Sequence, residues 1–200
     1  CMKYYAGRIG REPGIYTDWF ECCEQVMKYS GAVYAKFSSL EEAKAFLASD
    51  TIDYHEQAKD IILQDDFIAY VDGSYDKSTN RYGYGVYCIY KGKELTYSGI
   101  GEDEDGMCNV TGEIQAAMFA MRAAKLLGAQ KVVIYHDYSG VANWCKGVWE
   151  AKKPSTKEYK RFYDTMVKDI SVQFIKVKGH SGCRGNIIAD GLARKALGLG

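Results

Sequence analysis

The sequence predicts an α/β fold: a mixed five-stranded sheet with helices on both faces, preceded by a small α+β domain. Three observations lead there. From residue 67 onward three strand-like runs are followed by alternating helix and strand, residues 1–48 hold short strands separated by two marked helix starts, and a run of acids parts the two blocks. With 200 residues, 47% of them hydrophobic, the chain can bury a core and form one or two domains.

In the first block, KYYAGRIG and GIYT read as strands, followed by a helix from about Trp19, the strand AVYAKF and a helix from about Leu40. Asp18 and Ser39 each stand three residues before a glutamate, Glu21 and Glu42. That spacing supplies a capping oxygen for free backbone N–H groups and an acid that complements the helix dipole. Ala43, Phe46 and Leu47 form one apolar face of the second helix, and the block ends near Ala48. Residues 1–48 are thus one domain, 49–65 a linker, and 66–200 a second domain.

The second block opens with the apolar strand FIAYVD, ending at Asp72, and continues with the glycine-punctuated pair YGYGVYCIYKG and KELTYSGIG. A helix follows from about Val110 to Leu127, then the buried strand KVVIYHD, helical stretches, the strand SVQFIKV and a last helix from about Gly185. There are no internal repeats.

The formal net charge of zero is unevenly spread. Residues 1–48 carry six basic and six acidic side chains, 49–66 one lysine against six acids, and 67–200 nineteen basic against fourteen acidic. The acidic stretch would be repelled by phosphate, whereas the last block is basic and suits a polyanion. The seven cysteines are scattered without a C-x-x-C pair, as expected of reduced thiols in the cytoplasm. No segment approaches the roughly 18 apolar residues of a membrane span. A cytoplasmic protein with no membrane association and no evident obligatory protein partner is expected.

In open α/β sheets ligands gather at the carboxyl ends of strands. Asp72 and Asp137 both end apolar strands, although each alone also suits a turn or cap. Glu113 lies near the start of the helix NVTGEIQAAMFAMRAA, among small residues that permit close packing on a sheet. Asp190 sits within GNIIADGLARKAL between apolar neighbours, where a buried charge needs a partner, and Asn186 lies one turn earlier on the same face.

The motifs Y-V-D-G-S, N-x-T-G-E-I-Q-A-A, the strand-terminal Asp137, K-G-H-S-G and N-I-I-A-D-G-L-A occur in the order of type 1 ribonuclease H, which residues 67–200 resemble. The resemblance implies that Asp72, Glu113, Asp137 and Asp190 are catalytic, metal-binding carboxylates and that His180 is a mobile loop histidine assisting turnover. Four oxygen-ligand side chains suit two Mg²⁺ ions, with Mn²⁺ as a substitute. One ion would activate the attacking water and the other stabilise the leaving 3′ oxygen, leaving 5′-phosphate and 3′-hydroxyl ends. His136 and His55 are assigned no ligand role.

The partner implied is an RNA/DNA hybrid. Asn109, four residues before Glu113, matches an RNA-contacting asparagine of the family and also suits a helix N-cap; Ser74, Ser78, Gln115 and Asn186 are further polar candidates. Lys152, Lys153, Lys157, Lys160, Arg161, Lys176 and Lys178 form a basic face for the backbone. ANWCKGVWEAKKPSTKEY is short beside relatives that carry a basic handle there, and Trp144 and Trp149 read as core residues with a DNA-sugar contact as the alternative.

Residues 1–48 resemble the hybrid-binding, viroplasmin-type domain found ahead of such nucleases, through Tyr5-Ala6, Gly14-Ile15-Tyr16, Trp19, Cys22, Gln25-Val26 and Tyr34 to Phe37. That likeness implies Tyr5, Trp19 and Tyr34 against sugars and Lys36 at a phosphate, whereas Ala35 stands where lysine is common. Removing the domain is then expected to weaken binding and spare the chemistry. Two other readings remain: a non-catalytic hybrid-binding protein, and a resolvase- or integrase-type nuclease on the same fold.

Overall fold

The computed structural model describes residues 3–29, 32–48, 61–62, 65–178 and 183–200. The N-terminal sheet contains β1 (Tyr4–Ile9), β2 (Gly14–Tyr16), β3 (Val33–Phe37) and β4 (Ile61–Ile62), all antiparallel in the order β2-β1-β3-β4. The segment read as a linker therefore contributes an edge strand, pairing Tyr34 with Ile62. Helices α1 (Trp19–Val26) and α2 (Leu40–Ala48) start where the caps predict: the Asp18 carboxylate accepts from Phe20 N at 2.7 Å and Ser39 Oγ from Glu42 N at 3.2 Å.

Strand alternation divides this small sheet. Ala6, Val33 and Ala35 point toward Ala43 and Phe46 of α2, while Tyr5 and Tyr34 point the other way with Trp19, Cys22, Cys23 and Val26 of α1. Ala35 is therefore a core residue on the face opposite Tyr34.

The larger sheet runs β7-β6-β5-β8-β9, from β5 (Phe67–Asp76), β6 (Arg81–Tyr90), β7 (Lys93–Glu102), β8 (Lys131–His136) and β9 (Ser171–Lys176). The first three are antiparallel, and β8 and β9 add in parallel. Between them stand α3 (Asn109–Leu126), α4 (Gly140–Asn143) and α5 (Pro154–Met166), with α6 (Arg184–Ala196) last. Phe67, Ala69 and Val71 face the core under α3 and α5, and the alternate residues Ile68 and Tyr70 face the opposite layer. The connection between α4 and α5 spans only residues 144–153, so no long handle is inserted there.

On that opposite layer α6 covers β5, β6 and β7, and the N-terminal domain covers much of the remainder. Trp19 stacks on Tyr135 with ring centroids 5.0 Å apart, Tyr135 stacks on Tyr70 at 4.5 Å, and the Tyr34 and Tyr135 hydroxyls hydrogen-bond at 2.8 Å. The Tyr70 hydroxyl donates to Met27 Sδ at 2.9 Å, and Lys28 pairs with Glu94 at 2.8 Å. The aromatic joint dominates, because the ion pair is partly solvated.

This placement differs from the one the resemblance implies. Tyr5, Trp19 and Tyr34 were expected on a nucleic acid, but here Trp19 is 5% and Tyr34 3% exposed, and Tyr5 is buried beside them. Large rings on a sheet face under 50 residues long are covered by the nearest apolar surface, and Tyr70, Tyr135 and Ile175 supply it.

Candidate active site

Asp72 is the sixth residue of β5 rather than its end. It follows Tyr70, the last β5 residue paired with β8; beyond that point β5 continues only as a hairpin with β6. Asp137 directly follows β8, and Glu113 lies in the second turn of α3. Carboxylate oxygens of these three acids all lie within 4.8 Å of one another. Asp190, on α6, is close enough for its charge to act on Asp72.

Glycines allow the two helices to approach so closely. A Cβ on Gly73 would strike the Asn109 carbonyl and the Glu113 amide of α3, and one on Gly85 would strike the Ala189 carbonyl of α6, next to Asp190. The missing side chains let both helices rest on sheet backbone.

The cluster is charged and poorly solvated. Asp72 is 7% and Glu113 2% exposed. Burial first, then the charges of Asp137 and Asp190, push Asp72 up to about 7 against the pull of the Gly73 amide, which donates to it at 2.8 Å. Burial and then the charges of Asp137 and Asp72 push Glu113 up to about 9. Glu113 Oε2 is buried without a hydrogen-bond partner, as is Asn186 Oδ1 in α6. Unpaired acceptors among mutually repelling carboxylates fit a divalent, oxygen-preferring cation held by Asp72, Glu113 and Asp137, while Asp190, the fourth acid expected from the sequence, stands outside that 4.8 Å group.

Asn109 is the first residue of α3 and is exposed; the N-cap is Cys108, not Asn109. Cys108 has φ 56°, a left-handed conformation costly for a side chain with a Cβ. Asp103, which the sequence reading missed, holds it there. Its carboxylate is 5% exposed and accepts from Met107 N at 3.1 Å, Cys108 N at 2.8 Å and Thr111 Oγ1 at 3.0 Å. An aspartate inside GEDEDGM carries no periodic signal, and only the returning chain reveals its role.

Ser74 is half-buried beside Gly73 on β5, Gln115 lines a separate acidic cleft with Glu102, Glu104 and Glu158, and Ser78 is committed to Asp76 within the β5–β6 hairpin at 2.7 Å. Lys36 lies half-buried on β3. His180 and His55 lie outside the described residues. His136 is a buried core histidine: its Nδ1 is 2.8 Å from the Tyr138 carbonyl, and burial pushes it down to about 4, leaving it neutral.

Beside Asp137 lies a cleft of about 350 Å³ lined by Met107, Val110, Tyr138, Trp144, Lys152 and Lys153, among others. Trp149 is exposed at 38% and packs edge-on against Trp144 at 5.5 Å, so this tryptophan is a surface residue rather than the core residue expected. The basic run is partly spent internally: Lys160 pairs with Asp164 at 2.7 Å and Lys152 with Glu150 at 3.3 Å.

Comparison with known proteins agrees with this architecture. Residues 64–198 match the family model described as RNase H, and residues 3–47 match the Ribonuclease H1 N-terminal domain. Ribonuclease H1 of Mus musculus is 28% identical over an alignment of 256 positions covering 96% of this chain and 88% of the mouse protein. Ribonuclease H of Francisella philomiragia is 31% identical over 141 positions, covering 65% of this chain and 90% of that protein. Among solved structures, RNase H1 of Halobacterium salinarum superposes with a TM-score of 0.57 at 19% identity, covering 68% of this chain and 99% of that one. LC11-RNase H1 in complex with an RNA/DNA hybrid gives 0.52 at 20% identity, covering 66% and 99%. With a family match over more than half its length and carboxylates brought together from β5, α3 and the end of β8, the chain belongs to the ribonuclease H family.

Proposed function

We propose that this protein hydrolyses the RNA strand of RNA/DNA hybrids endonucleolytically by two-metal-ion chemistry, leaving 5′-phosphate and 3′-hydroxyl ends. The observation that carries the reading is the buried triad of Asp72, Glu113 and Asp137, with Glu113 Oε2 unpaired and Asp190 adjacent. Mg²⁺ ions bound there would supply an activated water and offset the charge developing on the leaving oxygen.

The chain's own residues do the rest. Asn109, exposed one turn before Glu113, is assigned to a 2′-hydroxyl, and the N-terminus of α3 favours a phosphate beside it. Asn186 presents an unpaired oxygen one turn before Asp190. The cleft bordered by Trp144, Lys152 and Lys153 is assigned to the sugar-phosphate backbone of the second strand, with Lys152 exchanging Glu150 and Lys153 the Asp105 carbonyl for a phosphate. His180 is assigned to assisting turnover from its place in K-G-H-S-G. The N-terminal domain grips the hybrid through Tyr5, Trp19, Tyr34 and Lys36 when those rings leave Tyr135. A cytoplasmic setting is assigned from the scattered cysteines without a C-x-x-C pair.

The test is a panel of hybrid, duplex DNA, duplex RNA and four-way junction, assayed with Mg²⁺, Mn²⁺ or neither. Cleavage confined to the RNA of the hybrid, requiring a divalent cation and lost in Asp72→Asn and Glu113→Gln, is expected. Junction cleavage, or hybrid binding without cleavage, would refute the reading.

A further inference from the structure

The face of the N-terminal domain assigned to the hybrid is already occupied by its own catalytic domain. Tyr5, Trp19 and Tyr34 share that face, and strand alternation puts Lys36 on it too, two residues beyond Tyr34 and across from Tyr5. Trp19 is stacked on Tyr135, and the Tyr34 and Tyr135 hydroxyls are hydrogen-bonded at 2.8 Å. Both rings are buried, so a duplex cannot pack on either of them while the two domains are joined.

The joint has the character of a contact that is made and broken. Trp19 Nε1 is buried with no hydrogen-bond partner. An indole N–H withdrawn from water without an acceptor costs free energy that the ring stacking must offset, and undocking returns it to water or to a sugar-phosphate oxygen. At the rim the Lys28 and Glu94 side chains, 2.8 Å apart and 28% and 41% exposed, are open to solvent and hold the domains only weakly. Opposing release is the tether. Only residues 63–66 separate β4 from β5, so a displaced domain stays at high effective concentration over the face it left.

We propose that the docked arrangement is an autoinhibited, closed form: the Tyr70–Tyr135 face competes with the hybrid for Trp19 and Tyr34, and the N-terminal domain grips a hybrid only after undocking. The competition rests on the reading of the N-terminal domain as a hybrid-binding module. The closed form binds a hybrid through the catalytic domain alone and the open form through both domains, so the closed fraction sets the apparent affinity.

The rim ion pair allows closure to be trapped without a mutation. A carbodiimide activates the Glu94 carboxylate, the Lys28 amine displaces the urea, and the amide formed locks the domains together; Lys125 and Asp169, 2.7 Å apart within the catalytic domain, serve as the internal reference. The full chain is treated without divalent cations, so that hybrid binds uncut, with and without saturating hybrid carrying 5′-hydroxyl ends, and linked peptides are quantified by mass spectrometry. Expected is a Lys28–Glu94 link in the free protein whose yield, relative to Lys125–Asp169, falls about fivefold or more with hybrid. Linked protein should bind hybrid about tenfold or more weakly than Lys28→Gln protein given the same treatment, which lacks the same positive charge but stays free to open. No link in free protein, a yield that hybrid leaves unchanged, or equal affinities of linked and Lys28→Gln protein overturns the autoinhibition. Lys36→Ala separates the two readings. An unchanged yield with binding weakened by Lys36→Ala refutes the competition alone, whereas an unchanged yield with unweakened Lys36→Ala binding refutes the hybrid-binding reading beneath it.

Discussion

Replacing Trp19 by alanine separates two accounts of this side chain. If Trp19 were an exposed contact for nucleic acid, Trp19→Ala would weaken hybrid binding and leave stability nearly unchanged. In the structure the ring is 5% exposed, stacked on Tyr135 at 5.0 Å and tilted against Tyr5 at 5.4 Å and Tyr34 at 5.8 Å. Emptying such a site costs about 3–5 kcal/mol, the range for a buried Trp or Phe truncated to Ala. For a chain of this length that lowers the midpoint of thermal unfolding by on the order of 10 °C. Urea unfolding followed by far-ultraviolet circular dichroism measures the loss, with Leu126→Ala, at a position 88% exposed, as the control expected to move little. A Trp19→Ala loss below about 1 kcal/mol would show that the ring is solvated in solution and that the docked arrangement is wrong.

Other outcomes follow from the same structure. Because the folded values of Asp72 and Glu113 are raised to about 7 and about 9, the folded state binds more protons than the unfolded chain. Cation-free protein should therefore be most stable near pH 4–5 and lose stability as pH rises toward 9; Mg²⁺ should restore it, and Glu113→Gln should flatten the slope in differential scanning fluorimetry. A midpoint in EDTA that rises with pH, unaltered by Glu113→Gln, would contradict this. Asp103→Ala leaves three donors unpaired and releases strained Cys108, so it should cost about 2 kcal/mol in urea unfolding. It should also slow hybrid cleavage through displaced Asn109 and Glu113; full activity would deny Asp103 a positioning role. Deleting residues 3–47 bares Tyr70, Val133, Tyr135 and Ile175, so the remaining fragment should aggregate or unfold early, contrary to the sequence-based expectation that truncation spares the chemistry. A monomeric, fully stable fragment by size-exclusion chromatography would count against the interface.

The carboxylates were legible because local pattern marks them: an acid after an apolar strand at Asp137, and one amid small helical residues at Glu113. The end of β5 was misread at Asp72, since an acid followed by glycine signals a turn, whereas pairing with β6 carries the strand on to Asp76. Asp103 was invisible because its three partners are set by the chain returning onto α3. The aromatics of the first domain were recognised as a set, but sequence says nothing about which surface a ring meets. Two surfaces, a duplex or the Tyr70–Tyr135 face, satisfy the same rings, and only tertiary packing chooses between them.

Gly73 and Gly85 act as the gauge blocks of the catalytic centre. Each holds a helix at the thickness of a bare peptide plane, so the spacing between Asp72 on one side and Glu113 and Asp190 on the other is machined by the absence of two methyl groups. Alanine at either position leaves every acid in the chain and still spoils the assembly, because a ligand set tuned to a cation tolerates little displacement. The spacing of the acids is therefore set as much by glycines, which have no functional group to notice, as by the acids themselves.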